Sequence, residues 1–207
     1  KITLIILTLS VALGSAQEKT APTTPKISEK AAPPEMTGLE VGKQAPLFTL
    51  KNQGGKDVEL RDLLKQGPVA LVFYRSADGD TLQMAVGPTA IKDHDFETAG
   101  VQLVGISYDS TEILKKFSSK QKLSFPLLSD PGSNVINAFH IGNKNAPEKL
   151  QGIPHPGTFI IDQKGTIRSK LFLESYRKRH PASEVLNAAK AAKPKIHANR
   201  SGDLLAV

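Results

Sequence analysis

Six consecutive apolar residues, Val69-Ala70-Leu71-Val72-Phe73-Tyr74, constrain this chain more than any other stretch in it. Bounded by Gly67-Pro68 and Arg75-Ser76, the run reads as a buried strand. Val101-Gln102-Leu103-Val104-Gly105-Ile106-Ser107 reads as a second, and Phe125-Pro126-Leu127-Leu128 as a short third. Helical segments lie between them. Residues 81–99 form one, with Gly87-Pro88 expected to break or kink it, because proline lacks the donor N–H and clashes one turn back. Asp109 is expected to N-cap the next, with Glu112 completing a capping-box-like pair and Ile113, Leu114 and Phe117 forming the apolar face. Val135, Ile136 and Phe139 mark a short helix after the turn Asp130-Pro131-Gly132.

Two hairpins flank this alternating core. Leu47-Phe48-Thr49-Leu50 and Val58-Glu59-Leu60 enclose the turn Asn52-Gln53-Gly54-Gly55, and a short helix at 61–66 follows. Thr158-Phe159-Ile160-Ile161 and Thr166-Ile167-Arg168 enclose Asp162-Gln163-Lys164-Gly165. Pro181 opens a last helix with Val185, Leu186 and Ala189 on one face. Strands alternating with helices and closing on a hairpin imply an α/β domain of three layers around a central mixed sheet, with an N-terminal β-hairpin.

Outside that domain the composition changes. Lys1, the apolar stretch 2–13 and Gly14-Ser15-Ala16 follow the order of a secretory signal peptide, so residues 1–16 are expected to be removed on export to the periplasm or the cell exterior. Residues 17–38, rich in Ala, Pro, Thr, Lys and Glu, cannot bury enough surface to fold and read as a flexible linker. The domain is expected over 39–192 and a tail over 193–207. The formal charge of +7 comes from 27 Lys+Arg against 20 Asp+Glu, with Lys19, Lys26, Lys30, Lys190, Lys193, Lys195 and Arg200 in or near the tails. Aromatic residues are only 5% and sit mostly in strand-like runs, which argues against a nucleic-acid-binding face. Stable membrane insertion is not expected, since the apolar N-terminal stretch falls short of the roughly 20 residues a spanning helix needs.

Several strings, taken in order, resemble the alkyl hydroperoxide reductase and thiol-specific antioxidant family, the peroxiredoxin-like branch of the thioredoxin fold. Val41-Gly42-Lys43-Gln44-Ala45-Pro46-Leu47-Phe48-Thr49-Leu50 is similar to its V-G-x-x-A-P-x-F-x-L. Val104-Gly105-Ile106-Ser107 and Phe125-Pro126-Leu127-Leu128-Ser129-Asp130 follow. Gly152-Ile153-Pro154-His155-Pro156-Gly157-Thr158-Phe159-Ile160-Ile161-Asp162 is similar to its G-I-x-x-P-x-T-F-x-I-D. The resemblance covers residues 39–192 and implies a thioredoxin-like fold and an antioxidant oxidoreductase of thiol peroxidase type. It also implies that Pro156 is the family's cis-proline beside the redox motif.

The chemistry that family uses is missing from the composition: the chain contains no cysteine. Against the family's R-S-A-D-W-C-P-x-C, the segment here reads Arg75-Ser76-Ala77-Asp78-Gly79-Asp80-Thr81-Leu82-Gln83, so Asp80 and Gln83 stand at the two cysteine positions. Neither carboxylate nor amide can replace a thiolate as the attacking sulfur. No catalytic residue is therefore assigned, and no cofactor or metal is expected. Asp78-Gly79-Asp80 has the spacing of a calcium loop's first half, but Thr89 holds the twelfth position where a glutamate would bind. Asp80 suits a helix N-cap, replacing one anion by another. Arg75, Asp78, Asp80, Gln83, His155 and Pro156 are expected to line a degenerate pocket that binds a protein or small molecule, in a monomer or a homodimer. His94, in the charged run Lys92-Asp93-His94-Asp95, is expected on a solvent-facing helix.

Overall fold

The computed structural model describes residues 38–77, 93–172 and 180–193, with the backbone of two short strands at 196–198 and 204–206. Seven strands make one sheet: β1 Thr49–Asn52, β2 Asp57–Glu59, β3 Val69–Phe73, β4 Gln102–Ser107, β5 Leu127–Ser129, β6 Gly157–Ile161 and β7 Ile167–Phe172. Their spatial order is β2-β1-β5-β4-β3-β6-β7. β3, β4 and β5 run parallel, while β1, β2, β6 and β7 join through antiparallel pairs. Both expected hairpins are present.

Strand alternation assigns each residue of the central strands to one of two cores. Val69, Leu71 and Phe73 of β3 join Val104 and Ile106 of β4 and Phe159 and Ile161 of β6 on one face. Helix α1 (Leu60–Gln66) covers that face with Leu60, Leu63 and Leu64, and α4 (Asn134–Ala138) with Val135 and Ile136. Ala70, Val72, Tyr74, Leu103 and Ile160 point to the other face. There they meet Phe96 of α2 (Asp93–Thr98), Leu114 and Phe117 of α3 (Thr111–Gln121), and Val185 and Ala189 of α5 (Ala182–Ala191). The arrangement is the expected three layers, and β3, buried at all five positions, is continuous apolar because it has helices on both sides.

One helix start shifts, and two stretches lie only partly within the described residues. Of the helix expected at 81–99, only α2 and the turn after it lie within the described residues. Pro181 is the N-cap of α5 rather than a residue of its first turn. Within the stretch read as a tail, β8 (Ile196–Ala198) pairs antiparallel with β9 (Leu204–Ala206).

Candidate functional site

The candidate site lies where three strand ends meet. Val72 and Phe73 of β3 stand opposite Gly105 and Ile106 of the parallel β4, and Phe73 also stands opposite Gly157, the first residue of antiparallel β6. The chain leaving β3 therefore passes beside the chain entering β6, which brings the Arg75 segment next to His155 and Pro156. Arg75, His155 and Pro156 are each half-buried. Asp78, Asp80 and Gln83 lie outside the described residues. His94, on α2, is exposed as expected, 3.5 Å from the Thr98 hydroxyl across one helical turn.

Pro156 departs from the cis bond that the resemblance implied: none of the described peptide bonds is cis. The residues before it are already held in an extended course. Pro154 bridges to Gly142, the His155 N–H donates to the Ile141 carbonyl at 2.7 Å, and Gly157 continues directly into β6. A trans bond carries an extended chain onward, and it is the lower-energy isomer by roughly 0.5–1 kcal/mol.

Asp109 does something the sequence reading did not assign to it. Ser110 is the N-cap of α3 and makes no side-chain cap bond. The Asp109 side chain instead turns back toward the site and is buried. Its Oδ1 accepts from the Ser76 hydroxyl at 2.6 Å, and its Oδ2 accepts from the Ala77 N–H at 2.6 Å and the Ser107 hydroxyl at 2.7 Å. Two residues earlier on an extended chain is the same side, so Ser107 and Asp109 converge. From the other side, the Ser129 hydroxyl donates to the Asp109 carbonyl at 2.7 Å. The spacing Ser107-x-Asp109 at the end of a buried strand was the available signal. The presence of Glu112, which made a capping box attractive, obscured it.

Beneath this network sits Tyr74, the last apolar residue of the run. Its backbone N–H extends the β3–β4 ladder to the Ile106 carbonyl at 3.1 Å, and its ring is fully buried. Its hydroxyl makes no hydrogen bond. Ser107 lies nearby and gives its own hydroxyl proton to Asp109. Burial pushes the phenol well above its ordinary range, Ser107 partly opposes this, and the negative charge of Asp109 adds to it. Tyr74 is thus a neutral spacer, unsuited to proton transfer near neutral pH.

Such a sheet, with helices on both faces and a site at the ends of its central strands, defines a thioredoxin-type fold. The AhpC/TSA family model matches residues 41–170, and the chain belongs to that family. A Mycobacterium tuberculosis protein named as a peroxiredoxin is 39% identical over 137 residues, covering 63% of this chain and 83% of that protein. Chloroplastic peroxiredoxin Q of Sedum lineare is 37% identical over 132 residues, covering 61% of this chain and 66% of that protein. Among solved structures, peroxidoxin BcpB of Mycobacterium tuberculosis is similar with a TM-score of 0.66 and 25% identity, covering 74% of this chain and 97% of that chain.

Proposed function

We propose that this protein is an exported member of the AhpC/TSA family that works as a binding or scaffold module without thiol chemistry. One observation carries the reading: a family match over residues 41–170 is paired with a sequence that contains no cysteine. Peroxide reduction by this family requires a sulfur that forms a covalent intermediate, and aspartate or glutamine at positions 80 and 83 cannot supply one. The binding face is formed by Arg75, His155 and Pro156 at the strand ends, and the chain continues from Ala77 into the segment bearing Asp78, Asp80 and Gln83. Its partner is a protein or small molecule, and the protein acts as a monomer or homodimer.

Two measurements test this. Purified, metal-stripped protein is expected to turn over hydrogen peroxide with a thiol reductant no faster than buffer. Turnover above that control would restore the antioxidant oxidoreductase reading that the relatives' names suggest. Pull-down from the exported fraction with wild type and with an Arg75→Glu, His155→Ala double variant is expected to show a species that the variant loses. Recovery of the same species by both would remove this face from the reading.

A further inference from the structure

We propose that Asp109 is a positioning residue for the binding face, a latch that fixes the segment entering the degenerate turn from the end of the neighbouring strand. The proposal rests on the reading of that face as the binding surface, but its test does not depend on a ligand.

The geometry places anchors on both sides of Arg75. Before it, the Tyr74 N–H is bonded to Ile106 of β4. After it, the Ser76 hydroxyl and the Ala77 N–H both end on the Asp109 carboxylate, at 2.6 Å each. The segment has left the β3–β4 ladder by this point, so a side chain takes over from the strand in holding it. Asp109 can do this because it is itself held, by Ser107 through its carboxylate and by Ser129 through its carbonyl. The Asp130 N–H, bonded to the Ser107 carbonyl at 2.8 Å, ties that strand end to β5. A carboxylate is suited to this task because every group facing it in the network is a donor. Asparagine keeps one acceptor oxygen and loses the charge, so the Ala77 N–H and the two serine hydroxyls can no longer all donate to it at charge-assisted strength. Nothing in the latch involves sulfur, so losing the cysteines leaves the presentation of Arg75 intact.

The test is amide hydrogen exchange by NMR with parallel urea melts, on wild type, Asp109→Asn, Ser76→Ala and Ser76→Thr. Asp109→Asn is expected to speed exchange of the Ala77 amide by roughly ten- to hundredfold beyond any change at Val104 and Ile106, because a charge-assisted bond is lost locally. Ser76→Ala leaves the core untouched and is expected to speed it by about three- to tenfold, while Ser76→Thr, which keeps the hydroxyl, stays within about twofold of wild type. Should Asp109→Asn fail to fold, the serine pair decides alone. Exchange at Ala77 that is unchanged, or that rises only in step with Val104 and Ile106, would overturn the latch. The binding reading is tested by the pull-down with the Arg75→Glu, His155→Ala variant and the latch by exchange at Ala77, so the two readings fail separately.

Discussion

At the residue scale, the ring of Tyr74 and the missing side chain of Gly105 belong together. A Cβ at position 105 would stand 2.8 Å from Leu127 Cδ2 and 3.0 Å from Tyr74 Cε1, so glycine in the middle of β4 is the room that the buried tyrosine occupies. Gly105→Ala is therefore expected to destabilise the domain by roughly 1–3 kcal/mol, as overpacking does, read as a lower urea midpoint. Tyr74→Phe should act in the opposite direction. It removes a buried hydroxyl that makes no hydrogen bond, so stability is expected to rise by about 1 kcal/mol, and a loss in the same melt would show that the hydroxyl has a partner. That tyrosine is buried was legible from its place at the end of an apolar run. That its hydroxyl lacks a partner was not, because which polar groups surround a buried ring is set by contacts that only folding makes.

At the scale of elements, two aspartates show what turn chemistry contributes. Asp162 closes the β6–β7 hairpin: its Oδ1 accepts from the N–H groups of Lys164 and Thr166 at 2.9 Å each, and its Oδ2 accepts from Arg168 Nε at 2.6 Å. Asp162→Ala is expected to cost about 1–3 kcal/mol in a denaturant melt, mostly through the two backbone donors, since Arg168 is half exposed and its ion pair is screened. Asp130 does for α4 what Asp109 was expected to do for α3. Its carboxylate accepts from the Asn134 and Ile136 N–H groups at 3.0 and 2.9 Å, at the start of α4. Burial raises the Asp130 carboxyl above the ordinary aspartate range, and the backbone bonds only partly oppose this. The folded state then binds this proton more tightly than the unfolded chain, so Asp130's contribution to stability falls as pH climbs from about 3.9 to the raised value and is flat beyond. Melts of wild type and Asp130→Asn across acid pH check the sign: relative to the variant, wild type should lose stability with rising pH through that window. The turn Asp130-Pro131-Gly132 and the helix after it were readable in the sequence. That Asp109 does not cap its own helix was not, because its carboxylate is taken up by Ser76 and Ala77, which only folding brings to it.

At the scale of the whole molecule, strands buried on both faces declared themselves through continuous apolar runs, and hairpins through their turns. The insertion of β1 between β2 and β5 left no local trace, since Lys51 and Asn52 pair with Ser129 and Leu128 far along the chain. The same long-range logic sets where the domain begins. The sequence placed the boundary at Leu39, by composition, but the Gly38 and Leu39 N–H groups already donate to the carbonyls of His140 and Phe139 at 3.0 and 3.1 Å. Gly38 holds a positive φ of 87°, and a Cβ there would stand 2.7 Å from Phe159 Cζ, so the chain enters against a ring that packs on Phe73, Phe139 and Phe172, where only glycine fits. Further on, Gly42 N–H and Lys43 C=O bond to Ile167 at 2.8 and 2.9 Å, and Ala45 N–H bonds to the Gly165 carbonyl at 2.9 Å, covering the free edge at the start of β7. A truncation series makes the argument quantitative. Deleting residues 1–37, the expected signal peptide and most of the linker, is expected to leave the melting temperature within about 2 °C of the full chain. Deleting through Ala45 removes five of these backbone bonds together with the buried Ala45 side chain, and is expected to lower it by well over 10 °C or prevent folding. Equal melting temperatures for the two truncations would mean that the segment 38–45 lies on the domain without stabilising it.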